Sequence, residues 1–383
     1  MLSEAKKLEK YNEALCALPL PDQLKRMGGV KSATGIKVML SADSPENLVR
    51  RFAFRLKEVL DDELSDFETG RALFFAGDSS NAELSLDRAF LMDDKRSCYY
   101  LAKIYRSKKD YVHCVEFFED SVNAGILVVD SLIELGVTMV DLGQTKKAWD
   151  YFKKALAANP SSAQDNFIVG SMKSLEGADD YAMEEWVEGM NKGDLRSAGL
   201  LAGVSEKEGQ KVNLVGCLLA MIKNGQVEKY LELGKVFESI GQYEMAKGAY
   251  LSAIDARIMK GYESLILLCV ALHRREAVIK YATEAVGKGL NSAYFALVIT
   301  LVGTGKMVWG LLALNEMFLK GLSDQALKVI QIMKARHNNK LELLISELFN
   351  QMIKGVKYDE RLVGILAPRI HNSQDSKPSD TVN

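Results

Sequence analysis

The stretch from Glu134 to Pro160 places small residues at intervals suited to two crossing helices, and those intervals return along most of the 383-residue chain. Leu135-Gly136 is followed by Gly143, Ala148, Phe152, Ala155 and Pro160. Small residues at 136, 148 and 155 let helix backbones approach, and Leu135 and Phe152 fill the space between them. Gly143 supplies the turn, and Pro160 ends the second helix. Taking 129 as the first residue of this unit, a step back to 95 finds Leu101-Ala102, Tyr105, Tyr111, Cys114 and Phe118 at matching offsets. A step forward to 163 finds Gly170, Gly177, Ala182 and Trp186. A unit from 63 carries Gly70, Gly77, Ala82, Leu86 and Ala89; another from 227 carries Leu233-Gly234, Phe237, Gly241, Ala246, Tyr250 and Ala253. Fainter copies begin near 258 (Ala277, Tyr281) and 291 (Gly305, Gly310, Leu314). Residues 197–226 are one unit long and helical in pattern, but only their flanks keep the spacing. A period of this size marks a stacked array, here about eight helical pairs.

The Leu-Gly pair, turn Gly, Ala, aromatic, Ala and closing Pro resemble the tetratricopeptide repeat. Glycine turns after several second helices (Gly125, Gly193, Gly261, Gly289, Gly321) are similar to those of Sel1-type repeats. The resemblance implies an all-α, right-handed α-solenoid whose first helices line a concave groove that holds a protein or peptide. The family's groove positions then fall on Phe67, Arg71, Phe74, Tyr99, Lys103, Arg106, Ile133, Val137 and Phe167, an aromatic surface with interspersed cations. Toward the C-terminus the same positions give an apolar set, Tyr262, Ile266, Phe295 and Ile299. So apolar a face calls for cover: the C-terminal helices, a second copy of the chain, or a partner helix. The co-chaperone clamp for a C-terminal carboxylate is a poor match, because its Asn pair is missing and Glu134 stands where a carboxylate would be repelled.

The expected organisation is an N-terminal helical segment at 1–62, the array at 63–324, capping helices at 325–367 and a disordered tail at 368–383. In the first segment, helices are expected over about 3–18 and from Ser44-Pro45-Glu46 to Leu60, with Ser44 as cap. Its basic knot, Arg50, Arg51, Arg55 and Lys57, leaves open an alternative: a peptide-sensing regulator whose N-terminal segment contacts DNA. The chain as a whole argues against nucleic acid, with 49 Lys plus Arg against 51 Asp plus Glu.

Catalytic and metal signatures do not assemble. Gly303-Thr304-Gly305-Lys306 lacks the first Gly and the final Ser or Thr of a phosphate loop, and falls on an expected inter-helix turn. His113, His273, His337 and His371 have no second ligand at helical spacing. The five cysteines are scattered, and Cys114 sits in a packing slot. Trp149, Trp186 and Trp309 fall on second helices, where core packing is expected. There is no apolar run long enough to cross a membrane and no secretory signal pattern, so the expected compartment is cytoplasmic. The expectation is a non-enzymatic adaptor or assembly scaffold without cofactor or metal, with a protein or peptide partner and a homodimer open through the C-terminal half.

Overall fold

A computed structural model describes residues 40–58, 64–336 and 338–366. The expected helix at 3–18 and the tail at 368–383 lie outside the described residues. The chain divides into two units, one ending at Ile258 and one beginning at Met259. Among the described residues all regular structure is helical.

The first unit opens with a short helix, α1 (Glu46–Phe52), continued as a 3-10 helix (Ala53–Glu58). Six hairpins follow: α2 (Asp66–Ala76) with α3 (Ser79–Leu91), α4 (Ser97–Ser107) with α5 (Tyr111–Asn123), and α6 (Val128–Asp141) with α7 (Thr145–Ala157). Next come α8 (Ser162–Leu175) with α9 (Asp179–Asn191), α10 (Leu195–Lys207) with α11 (Lys211–Lys223), and α12 (Lys229–Ser239) with α13 (Tyr243–Asp255). The second unit has two more, α14 (Lys260–Ala271) with α15 (Arg275–Gly287), and α16 (Ala293–Gly303) with α17 (Met307–Leu319). It ends in α18 (Ser323–Arg336), α19 (Asn338–Ile353) and α20 (Glu360–Leu366). Within each unit successive hairpins pack in chain order as tetratricopeptide-like helical repeats of the α-solenoid type, as the resemblance implied.

The spacing works through direct contact. A Cβ added at Gly136 would lie 2.6 Å from the Phe152 ring, at Gly70 2.6 Å from Leu86 Cγ, and at Gly170 2.7 Å from the Trp186 indole nitrogen. Each glycine is on a first helix, and each large residue comes from the second helix of the same hairpin. The turn residue Gly143 has φ 68°, a conformation that a side chain resists. In the α4–α5 and α14–α15 hairpins that place is taken by Lys109 (φ 62°) and His273 (φ 55°), which is why those copies lack the turn glycine.

Three local expectations need correction. Gly261 does not close a second helix: α13 ends at Asp255, the left-handed position is Arg257 (φ 67°), and Gly261 is buried in the first turn of α14. Pro45, not Ser44, occupies the N-cap of α1, and no side chain caps that helix. Trp309 is 64 % exposed instead of being core, while the next residue, Gly310, is the one that meets α16 at Val302. At the C-terminal end, α18 and α19 pack on both α16 and α17, and α20 packs on α17. Arg361 of α20 donates to the Phe318 carbonyl at 2.8 Å, and the Asp359 amide donates to Asn315 at 2.6 Å. The last hairpin is thereby covered, which the end of a stacked array requires.

The glycine contacts predict opposite signs for one substitution. Gly136→Ala gains helix propensity but drives Cβ into the Phe152 ring, so it should lower stability by about 1–3 kcal/mol. Gly203→Ala, on an exposed stretch of α10 with nothing within 4 Å, should raise it by about 0.5–1 kcal/mol. Urea unfolding of the two variants beside the wild type checks both.

Candidate protein-binding face

The first helices of the first unit, α4, α6, α8 and α10, meet around Glu134. This carboxylate is almost fully buried on α6, surrounded by cations from two other helices. Lys103 of α4 donates to it at 3.1 Å and Arg106 at 2.7 Å, while Arg196 of α10 reaches it at 3.4 Å. Arg106 also pairs with Asp141 at 2.8 Å, and Arg196 pairs with Asp130 and with Asp194. Gln164 of α8 donates to Asp130 at 3.1 Å. Burial pushes the Glu134 carboxyl up, but Lys103, Arg196 and Arg106 together pull it further the other way, to about 2. The network ties four successive first helices together. Three cations face four carboxylates, so their charges are met within the protein.

Above the network lies a cavity of about 540 Å³, lined by Lys103, Arg106, Val137, Phe167, Arg196 and Leu200 among others. Arg196 and Leu200 come from α10, where the repeat spacing gave no register, and sequence reasoning missed them for that reason. The available signal was the length of residues 197–226, which equals one hairpin.

The end of the face near α2 is occupied. Arg71 of α2 is buried and donates to the carbonyls of Ser41 at 2.9 Å, Ser44 at 3.0 Å and Ala42 at 3.3 Å. Glu68 caps α2 by accepting from the Ser65 amide, and it also accepts from the Ala42 amide at 2.7 Å. Leu40, Val49, Ala53 and Leu56 are buried in one core with Phe67, Phe75, Tyr99 and Tyr100. Arg50 stacks on the Phe75 ring at 4.3 Å and pairs with Glu46 at 2.8 Å. The segment extends as far as the α11–α12 turn, where a Cβ at Gly225 would lie 2.5 Å from the Asn47 carbonyl oxygen. Burial raises the Glu228 carboxyl at the start of α12, opposed by its own backbone amide and by Arg50.

The expected groove residues therefore divide by role. Phe67, Arg71, Tyr99, Ile133 and Phe167 are buried, and Phe67 and Tyr99 both pack around Tyr100. Phe74, Lys103, Arg106 and Val137 are half-buried, the last three at the cavity. Glu134 does not present a bare negative charge to a ligand, because its cations cover it. The knot residues Arg50, Arg51 and Arg55 are half-buried instead of forming an open basic surface.

In the second unit Tyr262 and Ile266 are buried, with the Tyr262 hydroxyl accepting from Lys288 at 2.6 Å. Phe295 is 45 % exposed. Ile299 lines a cavity of about 370 Å³ with Cys269, Val270 and Val278, at whose edge stands Lys340 of α19. The C-terminal helices thus cover part of this apolar face and leave Leu267, Val270 and Phe295 exposed. Among the described residues there is no cluster of His, Cys, Asp and Glu that would hold a metal, and no helix long and apolar enough to cross a membrane.

No protein family matches the sequence, and no curated protein does. Solved structures resemble it at low identity. The crystal structure of MamA is 20 % identical, with a TM-score of 0.23, covering 50 % of this chain and 96 % of that one. A tetratricopeptide repeat protein from Parabacteroides merdae is 14 % identical, with a TM-score of 0.28, over 65 % of this chain and 99 % of that one. The human IFIT1 dimer with m7Gppp-AAAA is 14 % identical, with a TM-score of 0.35, over 89 % and 86 %. The repeat assignment rests on the hairpins and their glycine contacts.

The Glu134 network predicts an acid limb of known sign. Its folded carboxyl, at about 2, lies below the ordinary 4.5, so its contribution is complete above about pH 4.5 and is lost as pH falls through about 2. Glu134→Gln should lower stability at pH 7 by about 3 kcal/mol, since three cations lose their shared partner. It should also flatten the pH dependence in that window. Urea unfolding from pH 7 to pH 2 measures both.

Proposed function

We propose that the protein is a non-enzymatic adaptor or assembly scaffold that holds a partner protein or peptide on the first-helix face of its first unit. The observation that supports this most is the 540 Å³ cavity between α4, α6, α8 and α10, which joins apolar walls (Val137, Phe167, Leu200) to a rigid rim of charged hydrogen-bonding groups. Such a surface suits an extended or helical segment with apolar anchors and a few polar side chains. Because the rim charges are already paired, the contact should depend weakly on salt.

Of the expected groove residues, Lys103, Arg106 and Val137 meet the partner directly in this reading, and Arg196 and Leu200 join them. Phe167 forms the cavity floor. Phe67, Arg71 and Tyr99 act by shaping the neighbouring end. The turn glycines Gly125, Gly193, Gly289 and Gly321, all at positive φ, support a Sel1-like character for those hairpins. We read the compartment as cytoplasmic, supported by four buried cysteines that form no disulfide, Cys98, Cys114, Cys217 and Cys269. The alternative, a DNA-contacting regulator, draws less support, because Arg50 is engaged by Glu46 and Phe75.

Affinity capture from native lysate with mass spectrometry tests the proposal. Val137→Asp with Leu200→Asp should abolish capture of at least one protein that wild type retains at 0.5 M salt as well as at low salt. Identical capture by both proteins would remove the cavity from the account. Salt-sensitive DNA binding lost on changing Arg50, Arg51 and Arg55 would favour the regulator.

A further inference from the structure

The first-helix face holds a piece of its own chain, and the manner of holding shows what else would fit. A segment serving only as an end cap would meet the first hairpin alone. Residues 40–58 instead touch α2, share one buried core with Tyr99 and Tyr100 of α4, and reach the α11–α12 turn at Gly225, some way along the array. They therefore lie along the face where a partner is expected.

We propose that the α2–α4–α12 end of this face is a docking site for an amphipathic helix, and that residues 40–58 are its built-in competitor. This rests on the adaptor reading only in placing a partner on the same face. The buried anchors Val49, Ala53 and Leu56 stand at i, i+4 and i+7, the spacing by which a helix lays one side into a groove. Before them, Arg71 grips three main-chain carbonyls, and Glu68 takes a main-chain amide. These contacts read a turn of backbone and no side chain, so any chain that presents such a turn satisfies them. Arg71 retains a buried Nε with no hydrogen-bond partner, so its present occupant leaves one donor unused. Phe75 offers a ring face to a cation one residue after the first anchor, the place now taken by Arg50.

The occupant is also lightly built. Its α-helix has seven residues and no side-chain cap. Helices this short do not persist without tertiary support. Pro45, Glu46 and Asn47 at its start are exposed, and the rest of it is buried or half-buried. The matching partner is an amphipathic helix with small or branched aliphatic residues at i, i+4 and i+7, a cation at i+1 and a tight turn just before it. Its apparent affinity is lowered by the fraction of time the chain's own segment holds the site.

A fluorescent synthetic peptide of residues 40–58, added to the full chain, tests this. Wild type should bind it weakly. Val49→Asp with Leu56→Asp, which weakens the segment in cis and leaves the site intact, should bind it roughly ten-fold or more tightly. Adding Arg71→Ala to that variant should abolish the gain. Hydrogen exchange on the same proteins should show amides of 40–58 released in the double variant while α2 and α4 stay protected. If the released variant binds peptide no better than wild type, the site accepts no helix in trans and the proposal falls. If the double variant loses protection across α2 and α4, the segment is part of the core and cannot be displaced, which overturns it equally. Either failure leaves the cavity reading intact, because Val137 and Leu200 do not touch this peptide's site and their capture phenotype is measured separately.

Discussion

The close crossing of two helices at a glycine is the constraint on which this architecture depends. At Gly70, Gly136 and Gly170 the missing side chain lets a large residue of the second helix sit against the first helix's backbone. That contact sets the crossing of those three hairpins, and stacked hairpins set which sides of the first helices face one another. Without a fixed hairpin angle, Lys103, Arg106, Glu134 and Arg196, drawn from three helices, would not converge. The charged network is thus a consequence of packing between residues that never reach it.

Burying Glu134 among three cations is costly unless each charge is met, since a half-paired network is worse than an apolar one. Here every cation has more than one carboxylate or a shared one, and Gln164 extends the chain of hydrogen bonds to α8. The arrangement makes the charged rim of the cavity rigid beside the apolar walls of Val137 and Leu200. A rigid rim lowers the ordering cost on binding, which is how a repeat surface gains affinity without a deep pocket.

The sequence carried the hairpins well, because one small residue per crossing is a local, periodic requirement. It failed where the requirement is met otherwise. In the α10–α11 hairpin Gly203 meets nothing and Gly199 meets only the end of Met221 at 3.8 Å, so no tight spacing betrayed it, and Arg196 and Leu200 were missed. Gly261 was misread because a glycine in a first turn and a glycine after a helix look alike in sequence. Groove positions carried no information on depth: Phe67, Tyr99 and Phe167 are buried among their neighbours. The occupation of the α2 end by residues 40–58 depends on contacts about 180 residues apart, such as Asn47 with Gly225, which no periodic pattern encodes.

The central claim is that a partner sits on the first-helix face of the first unit. Site-specific photo-crosslinking tests it most directly. A photoreactive side chain would be placed at Leu200 on that face, or at Tyr181, which is 67 % exposed on the second helix α9. The account predicts that a captured partner crosslinks from position 200 and not from 181. Crosslinking from 181 with none from 200 would place the partner on the opposite side and contradict the account.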